Sequence, residues 1–246
     1  METVPELPGR PLARVDIPIA EEQGFYRMRL PNGVDTTGTS SSGLAYLHGL
    51  VRWDLLRHHA GSPLLHAASI RLGGRRLAIM GAKGAGKSTL TLHLLCAGHD
   101  VEGDEHIVVA PDHLIAVPRT LRIKPPSFGI VTGAGDISSV PKFTSDEGVT
   151  VYSFAPTRIR PHWSIVAGDV DALIFIEPNH GGRSVLSPIG TDETFERLLR
   201  NTYYTSADMA AMLARLRLLA ANTRACVLRL GDLAGAESHL RRLVAT

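Results

Sequence analysis

The chain reads Gly81-Ala82-Lys83-Gly84-Ala85-Gly86-Lys87-Ser88 directly after the apolar run 77–80 and directly before a helix-forming stretch that ends near Gly98. This octapeptide satisfies the pattern G-x-x-x-x-G-K-[ST] in the strand, loop and helix context that the pattern requires. Glycines at these positions let successive main-chain N–H groups turn inward around an anion, where a Cβ would obstruct them. The stretch therefore predicts a phosphate-binding loop between a β-strand and an α-helix.

The last two residues of the loop carry side chains suited to a nucleoside triphosphate. Lys87 offers a positive charge to the β- and γ-phosphates, Ser88 offers a hydroxyl to Mg²⁺, and the N-terminus of the helix adds a favourable dipole. We expect the nucleotide to contact the loop and the residue after it, namely Gly81, Ala82, Lys83, Gly84, Ala85, Gly86, Lys87, Ser88 and Thr89. The sequence has neither the N/T-K-x-D segment that binds guanine nor the L-S-G-G-Q segment of transporter ATPases, so ATP is favoured over GTP.

Composition narrows the class of protein. With 246 residues, 44% of them apolar, the chain is long enough for one substantial α/β core. Its 26 basic and 24 acidic residues are interspersed, which argues against a nucleic-acid partner, and no apolar stretch reaches the ~18 residues of a membrane span. The two cysteines, Cys96 and Cys226, lie far apart among apolar residues and are expected to be buried thiols. These features favour a cytoplasmic protein that binds neither nucleic acid nor membrane.

Periodicity and turn residues outline the elements. Two apolar runs, 64–72 and 75–80, flank Gly73-Gly74 and predict a hairpin whose second strand leads into the loop. Further strands are predicted at 14–19, 26–30, 107–110, 114–117, 170–177 and 226–230, and helices at 43–59, 88–97, 192–203, 207–221 and 236–244. Residues 124–153 are rich in Gly, Pro and Ser and predict a long functional loop. We expect an α/β fold with a mixed sheet and C-terminal helices, in which residues 1–60 are integral to a phosphate-loop domain spanning 61–246.

Acidic residues follow the helix after the loop. If residues 100–102 form a strand beside the strand that precedes the loop, Asp104 and Glu105 emerge at its carboxyl end, where open α/β sheets bind their ligands. One carboxylate could accept a proton from an attacking hydroxyl, and the other could contact Mg²⁺ or its bound water. From the residues alone, solvated acids in a turn explain the pair equally well.

The combination of His66, the phosphate loop, Gly98-His99 and Asp104-Glu105 resembles the catalytic domain of the HPr kinase/phosphorylase family. In that family a histidine precedes the loop, a Gly-His pair ends the loop helix, and an Asp-Asp pair follows. The resemblance covers about residues 62–125, and residues 118–125 are similar to a Pro-Arg/Lys…Lys-Pro stretch of small HPr-kinase-like proteins, some of which phosphorylate precursor peptides.

The resemblance implies roles for individual residues. Lys87 and Ser88 would bind phosphate and Mg²⁺, Asp104 would be the catalytic base, Asp104 or Glu105 would contact the metal, and His66 would lie in the active site. Because Glu105 replaces the family's second aspartate, the division of labour between the two acids stays open.

Three basic residues near these segments have less specific roles. Arg119 and Lys124 could bind the transferred phosphate or an acidic substrate, although surface charge explains both equally well. We expect His99 to cap the carbonyl end of the helix, because an imidazolium complements that end.

The predicted function is that of an ATP-dependent kinase. Because the family's N-terminal domain and its glycine-rich E-x-R-G segment are missing, we expect a kinase without phosphorylase activity. A serine of a peptide or carrier protein is the favoured acceptor, placed by the loop around 128–145, and a small-molecule hydroxyl is the alternative. A regulatory module that binds ATP without transfer is the alternative of another class. The family's tendency to assemble suggests a homo-oligomer.

Overall fold

The computed structural model describes residues 19–22, 25–29, 35–38, 62–131, 133–145, 148–203 and 208–245. The predicted helix at 43–59 and most of the predicted strand at 14–19 lie outside these ranges. At the N-terminus, three short strands pair antiparallel in the order β1-β2-β3, with bounds Ile19–Glu22, Phe25–Arg29 and Asp35–Gly38. The strand predicted at 26–30 is therefore present as β2.

A mixed sheet forms the centre of the part of the chain that the structure describes. Its strand order is β14-β16-β13-β6-β5-β7. The bounds are β5 Ala67–Leu72, β6 Arg75–Gly81, β7 Asp100–Gly103, β13 Ala172–Pro178, β14 Val185–Pro188 and β16 Arg224–Leu230. β6 and β16 both pair parallel with β13, whereas β14, β5 and β7 add antiparallel edges. The expected α/β class with a mixed sheet is confirmed.

The Gly73-Gly74 turn joins β5 to β6 as predicted. Gly73 has φ 60° and Gly74 has φ 81°, and Leu72 pairs with Arg75 across the two-residue turn. Two successive positive φ angles match the twist of a tight hairpin and strongly favour glycine at both positions. This turn places β6 beside β5 and directs its end into residues 81–88.

Helices cover both faces of the central sheet. They are α1 Lys87–Cys96, α2 Pro125–Ile130, α3 Thr191–Arg200, α4 Met209–Asn222 and α5 Leu233–Val244. Leu90 of α1 and Leu240 of α5 share a buried cluster with Ile79 of β6, whereas Leu198 of α3 and Leu216 of α4 share another with Met80. Successive residues of a strand point to opposite faces, so β6 holds the two helix layers together. No helix in the described part of the chain is both long and apolar enough to cross a membrane.

Two smaller sheets flank the central one. Their bounds are β4 Leu64–Leu65, β8 Ile107–Val109, β9 Leu114–Ala116, β10 Leu121–Ile123, β11 Lys142–Thr144, β12 Thr150–Phe154 and β15 Thr202–Tyr203. The pairing orders are β15-β4-β8-β9 and β10-β12-β11. The predicted strands at 107–110 and 114–117 are thus present as the antiparallel pair β8 and β9.

The prediction of a long loop at 124–153 is wrong. This segment contains α2, β11 and most of β12. Prolines at the first two positions of α2 start the helix, and Phe128 then packs against Tyr152 and Phe154, with ring centroids 5.2 and 5.9 Å apart. Each of these elements is shorter than the window over which periodicity can be detected, and the Gly and Pro content suggested a loop instead.

The cysteines are both free thiols, as expected, but they differ in burial. Cys226 in β16 is buried, whereas Cys96 at the end of α1 is only partly buried.

A buried ion pair ties residues 163–169 to the central sheet. Arg76 of β6 donates two hydrogen bonds to Glu102 of β7, each 3.0 Å long, and donates others to the carbonyl oxygens of Val166 and Asp169. Glu102, 1% exposed, also accepts a 2.6 Å bond from Ser69. Every oxygen of this carboxylate therefore has donors, as a buried charge requires.

Replacing Arg76 by Met is expected to reduce the free energy of unfolding by about 3–5 kcal/mol, because it leaves Glu102 charged and buried without its partner. Urea unfolding followed by circular dichroism measures the change. Arg75→Met is the matched control: Arg75 is 61% exposed and paired with Asp171, so its loss should cost about 1 kcal/mol or less. Adding Glu102→Leu to Arg76→Met should recover part of the lost stability. Equal effects of the two arginine substitutions would contradict a structural role for the buried pair.

Candidate functional site

The carboxyl ends of two strands meet at one edge of the central sheet. β6 ends at Gly81 and β7 ends at Gly103. β5 lies between them and pairs antiparallel with both, so β6 and β7 run in the same direction. The expectation that residues 100–102 lie directly beside the strand before the loop is wrong, since β5 intervenes. Asp104 and Glu105 nevertheless follow the carboxyl end of β7, as expected. This end lies at the same edge of the sheet as the end of β6, because each strand is antiparallel to β5.

The Gly81–Ser88 segment turns sharply between β6 and α1. Gly84 has φ 84° and Gly86 has φ 98°, and a Cβ on Gly86 would lie 2.7 Å from Leu230 Cδ2. The torsion therefore favours glycine at position 86, and a side chain there would also require the Leu230 side chain to shift. The first main-chain bond into α1 runs from Leu90 N–H to the Gly86 carbonyl, 2.9 Å, and the N-cap residue, Gly86, has no side chain with which to cap the helix. The N–H groups of the first helical turn are thus left for another acceptor, as at helix N-termini that bind anions.

Lys87 and Ser88 both contact Asp104. Lys87 is 7% exposed, and its Nζ donates to the main-chain carbonyl of Asp104. Ser88 Oγ donates a 3.1 Å hydrogen bond to Asp104 Oδ2. The structure thus brings together the ammonium, the hydroxyl and the carboxylate that the sequence assigned to one site.

Asp104 is buried but not fully paired. It is 1% exposed, and among the described residues its Oδ1 has no hydrogen-bond partner. Burial raises the pKa of this carboxyl, and the neighbouring Glu105 adds to the rise, although Lys87 opposes it. An orphaned carboxylate oxygen next to a serine hydroxyl fits a hard cation such as Mg²⁺, which prefers oxygen ligands.

The described residues contain no group of three or more His, Cys, Asp or Glu side chains able to hold a metal ion. Mg²⁺ that enters with a nucleotide does not need one, because phosphate oxygens and waters supply most of its ligands. Ser88 and Asp104 therefore suit a metal that arrives with a triphosphate better than a resident ion.

Glu105 and Arg119 form an ion pair beside Asp104. Arg119 Nη1 lies 3.1 Å from Glu105 Oε2. Burial alone would raise the pKa of Glu105, but Arg119 and Lys87 together hold it below its usual range. Because the Arg119 side chain is 9% exposed, surface charge does not explain it. Lys124 is exposed at the start of α2, so surface charge remains a sufficient explanation there.

His66 lies between β4 and β5 rather than within a strand, and its main-chain N–H donates to the Asn201 carbonyl at 2.7 Å. Burial and the charge of Lys87 lower the pKa of His66 below 6.5, which favours the neutral imidazole. Its ring centroid is 6.0 Å from that of Tyr203, and the His106 ring is 5.1 Å from Tyr203. Residues 202–203, expected to end a helix, form β15 instead, and no signal in the sequence placed Tyr203 or His106 near His66.

Two further predicted residues have partners on other helices. Thr89 Oγ1 lies 2.8 Å from Ser127 Oγ and so connects α1 to α2. The expectation that the His99 ring caps α1 is wrong: its Nε2 lies 3.1 Å from Glu237 Oε1 of α5, and its main-chain N–H bonds the Leu94 carbonyl instead. Glu237 also bonds His93, so this cluster connects α1 to α5.

No family model matches the chain, and no curated protein sequence matches it. Among solved structures, the chain is similar to that of the Hpr(Ser) kinase/phosphatase from Coxiella burnetii, with 12% sequence identity and a TM-score of 0.38 over 74% of this chain and 93% of that chain. Similarity at this level carries no functional conclusion.

Asp104→Asn is expected to raise the thermal unfolding midpoint at neutral pH, because it removes a charge whose burial is unfavourable. The folded protein holds the Asp104 proton more tightly than the unfolded chain, where the pKa is near 3.8. Wild-type stability therefore falls as pH rises from 3.8 through the raised pKa of the folded protein. The increase in the unfolding midpoint of the Asn variant should be complete above the raised pKa of Asp104 and should vanish as pH falls towards 3.8. Melting curves of both proteins across that pH range measure it, and a destabilised Asn variant at neutral pH would contradict the assignment.

Proposed function

We propose that this protein binds Mg²⁺·ATP at the Gly81–Ser88 segment and transfers the γ-phosphoryl group to a hydroxyl. A serine of a peptide or carrier protein is the acceptor that we favour, on the resemblance carried by residues 62–125. The observation that carries the proposal is the meeting of Lys87 and Ser88 at Asp104: Lys87 donates to its main-chain carbonyl, and Ser88 donates to its buried, half-paired carboxylate. A loop that serves only as a turn would need no such carboxylate beside it.

The segment supplies the groups for nucleotide binding. Main-chain N–H groups at the start of α1 would donate to phosphate oxygens, and Lys87 would move from the Asp104 carbonyl to the β- and γ-phosphates. Ser88 and Asp104 would hold Mg²⁺, which neutralises the charge of the phosphates when bound. Binding therefore replaces contacts that the three residues now make with one another.

Asp104 is also the proposed catalytic base. Its pKa is raised by burial, so the carboxylate accepts a proton more readily than an exposed aspartate would. In transfer, the bond from the γ-phosphorus to the bridging oxygen of ADP breaks, a bond to the acceptor oxygen forms, and the hydroxyl proton passes to Asp104. His66, kept neutral by burial and Lys87, would donate or accept a hydrogen bond without adding charge.

Lys87→Ala is expected to weaken Mg²⁺·ATP binding by about 100-fold or more, since it removes a buried charge opposite the phosphates. Isothermal titration calorimetry measures the affinity. Lys142→Ala, at an exposed lysine on β11, is the control and should bind as wild type does. Unchanged affinity in the Lys87 variant would remove the basis of the proposal.

Asp104→Asn is expected to keep ATP affinity within a few-fold, because the amide oxygen can still contact Mg²⁺ and the phosphates supply most of its ligands. Transfer should slow by about 10²–10⁴-fold, because the amide cannot accept the proton. Single-turnover transfer from γ-labelled ATP measures the rate, with exposed Asp112→Asn as control. Normal transfer by the Asn variant would show that Asp104 is not the base.

The acceptor class can be tested with labelled ATP in the presence and absence of cell extract. Label in a protein or peptide supports the favoured acceptor, and label in a small molecule supports a metabolite kinase. ATP that is bound but never transferred indicates a regulatory module.

A further inference from the structure

Arg119 carries two hydrogen-bond donors that the fold does not use. Its Nη1 pairs with Glu105, but Nε and Nη2 are buried and have no hydrogen-bond partner among the described residues. A buried N–H group without an acceptor is costly, and most such groups in proteins are paired. Two such groups on one guanidinium favour an acceptor that the described residues do not supply.

A second buried arginine shows what this acceptor should look like. Arg76 uses the same two nitrogens, Nε and Nη2, to hold both oxygens of Glu102, each at 3.0 Å. This edge of a guanidinium presents two parallel N–H groups that match two oxygens of a carboxylate or a phosphate. In Arg76 this edge has an acceptor, whereas in Arg119 it is buried and unpaired among the described residues.

The backbone on both sides of Arg119 is held in place. Val117 N–H donates to the His106 carbonyl at 2.9 Å, and Thr120 Oγ1 lies 2.5 Å from Ser153 Oγ of β12. Pro118 further restricts the segment between them. With Glu105 holding Nη1, the guanidinium is positioned before any ligand arrives.

We propose that the Nε–Nη2 edge of Arg119 binds two oxygens of the γ-phosphoryl group of ATP, with Glu105 as the positioning residue that orients it. The inference rests on the proposed nucleotide-binding function and deepens it. Arg119 pairs with Glu105, the neighbour of Asp104, and Lys87 and Ser88 contact Asp104, so a phosphoryl group beside Lys87 and Asp104 would be close to the Arg119 guanidinium. Arg119 exchanges no proton; it neutralises charge on the equatorial oxygens while the phosphoryl group moves.

The test compares Mg²⁺·ATP with Mg²⁺·ADP, which lacks the γ-phosphate, by isothermal titration calorimetry. Arg119→Lys keeps the charge and can keep the pair with Glu105 but loses the two-pronged edge. We expect at least a ten-fold loss of ATP affinity and less than a two-fold change for ADP. Arg119→Ala should show the same selective loss, and millimolar guanidinium should restore part of its ATP affinity. Arg75→Lys, at an exposed arginine, should bind both nucleotides as wild type does.

Glu105→Gln tests the positioning role. If Glu105 acts through Arg119, the variant should lose ATP affinity by about three-fold or more while ADP affinity stays unchanged, and adding Arg119→Lys should cause little further loss. An equal loss for ATP and ADP would show that Glu105 acts on the metal or the fold instead, and this outcome overturns the positioning role.

Failure of this inference can be told apart from failure of the proposed function. If wild type binds neither nucleotide, both the proposed function and the role of Arg119 are wrong. If wild type binds both and the Arg119 variants, folded by their melting curves, lose ATP and ADP equally or not at all, only the role of Arg119 falls. A raised KM for the acceptor with unchanged nucleotide affinities would show that the Nε–Nη2 edge of Arg119 binds an acidic group of the acceptor. This outcome would also overturn the proposal.

Discussion

Lys87 and Ser88 begin α1, Asp104 follows β7, and the hydrogen bonds between them join the two halves of the candidate site. These residues meet because β6 and β7, on either side of β5, run in the same direction and end at the same edge of the sheet. The Gly73-Gly74 hairpin sets that direction, since it reverses the chain between β5 and β6. A change in strand order would leave the lysine without its aspartate, so the chemistry of the site depends on the pairing of the sheet.

Buried carboxylates two residues apart show the difference between a structural charge and a site. Glu102 has donors on both oxygens, from Ser69 and Arg76 among others, and stabilises the packing of residues 163–169. Asp104 has one oxygen bonded to Ser88 and another without a hydrogen-bond partner among the described residues. Since burial of an incompletely paired charge is unfavourable, Asp104 does not stabilise the fold as Glu102 does, and its position at a sheet edge supports the proposal of a ligand there. Arg119 differs from Arg76 in the same way. The Nε–Nη2 edge of Arg76 binds Glu102, whereas that of Arg119 is unpaired among the described residues.

Local sequence rules predicted much of the fold. The Gly-Gly turn, the helix after Gly81–Ser88 and its end before Gly98 follow from torsions and spacing within a few residues. The rules failed over 124–153 because α2 and β11 are too short for periodicity to show. Phe128 of α2 packs against Tyr152 and Phe154 of β12, and β11 pairs with the same strand. The rules also failed for the His99 ring, since its partner, Glu237, comes from the far end of the chain.

The sequence by itself determined the loop, the strand and helix that flank it, and the residue types able to bind a triphosphate, because each depends on neighbours within one turn or one strand. Only the tertiary structure decided that Asp104 is buried and half-paired, that Glu105 pairs with Arg119, and that the Arg119 side chain is 9% exposed while Lys124 is exposed. Burial and unmet hydrogen-bonding capacity depend on segments distant in the chain, and no local pattern encodes them. The roles of these charged residues therefore followed from three-dimensional contacts and not from their spacing.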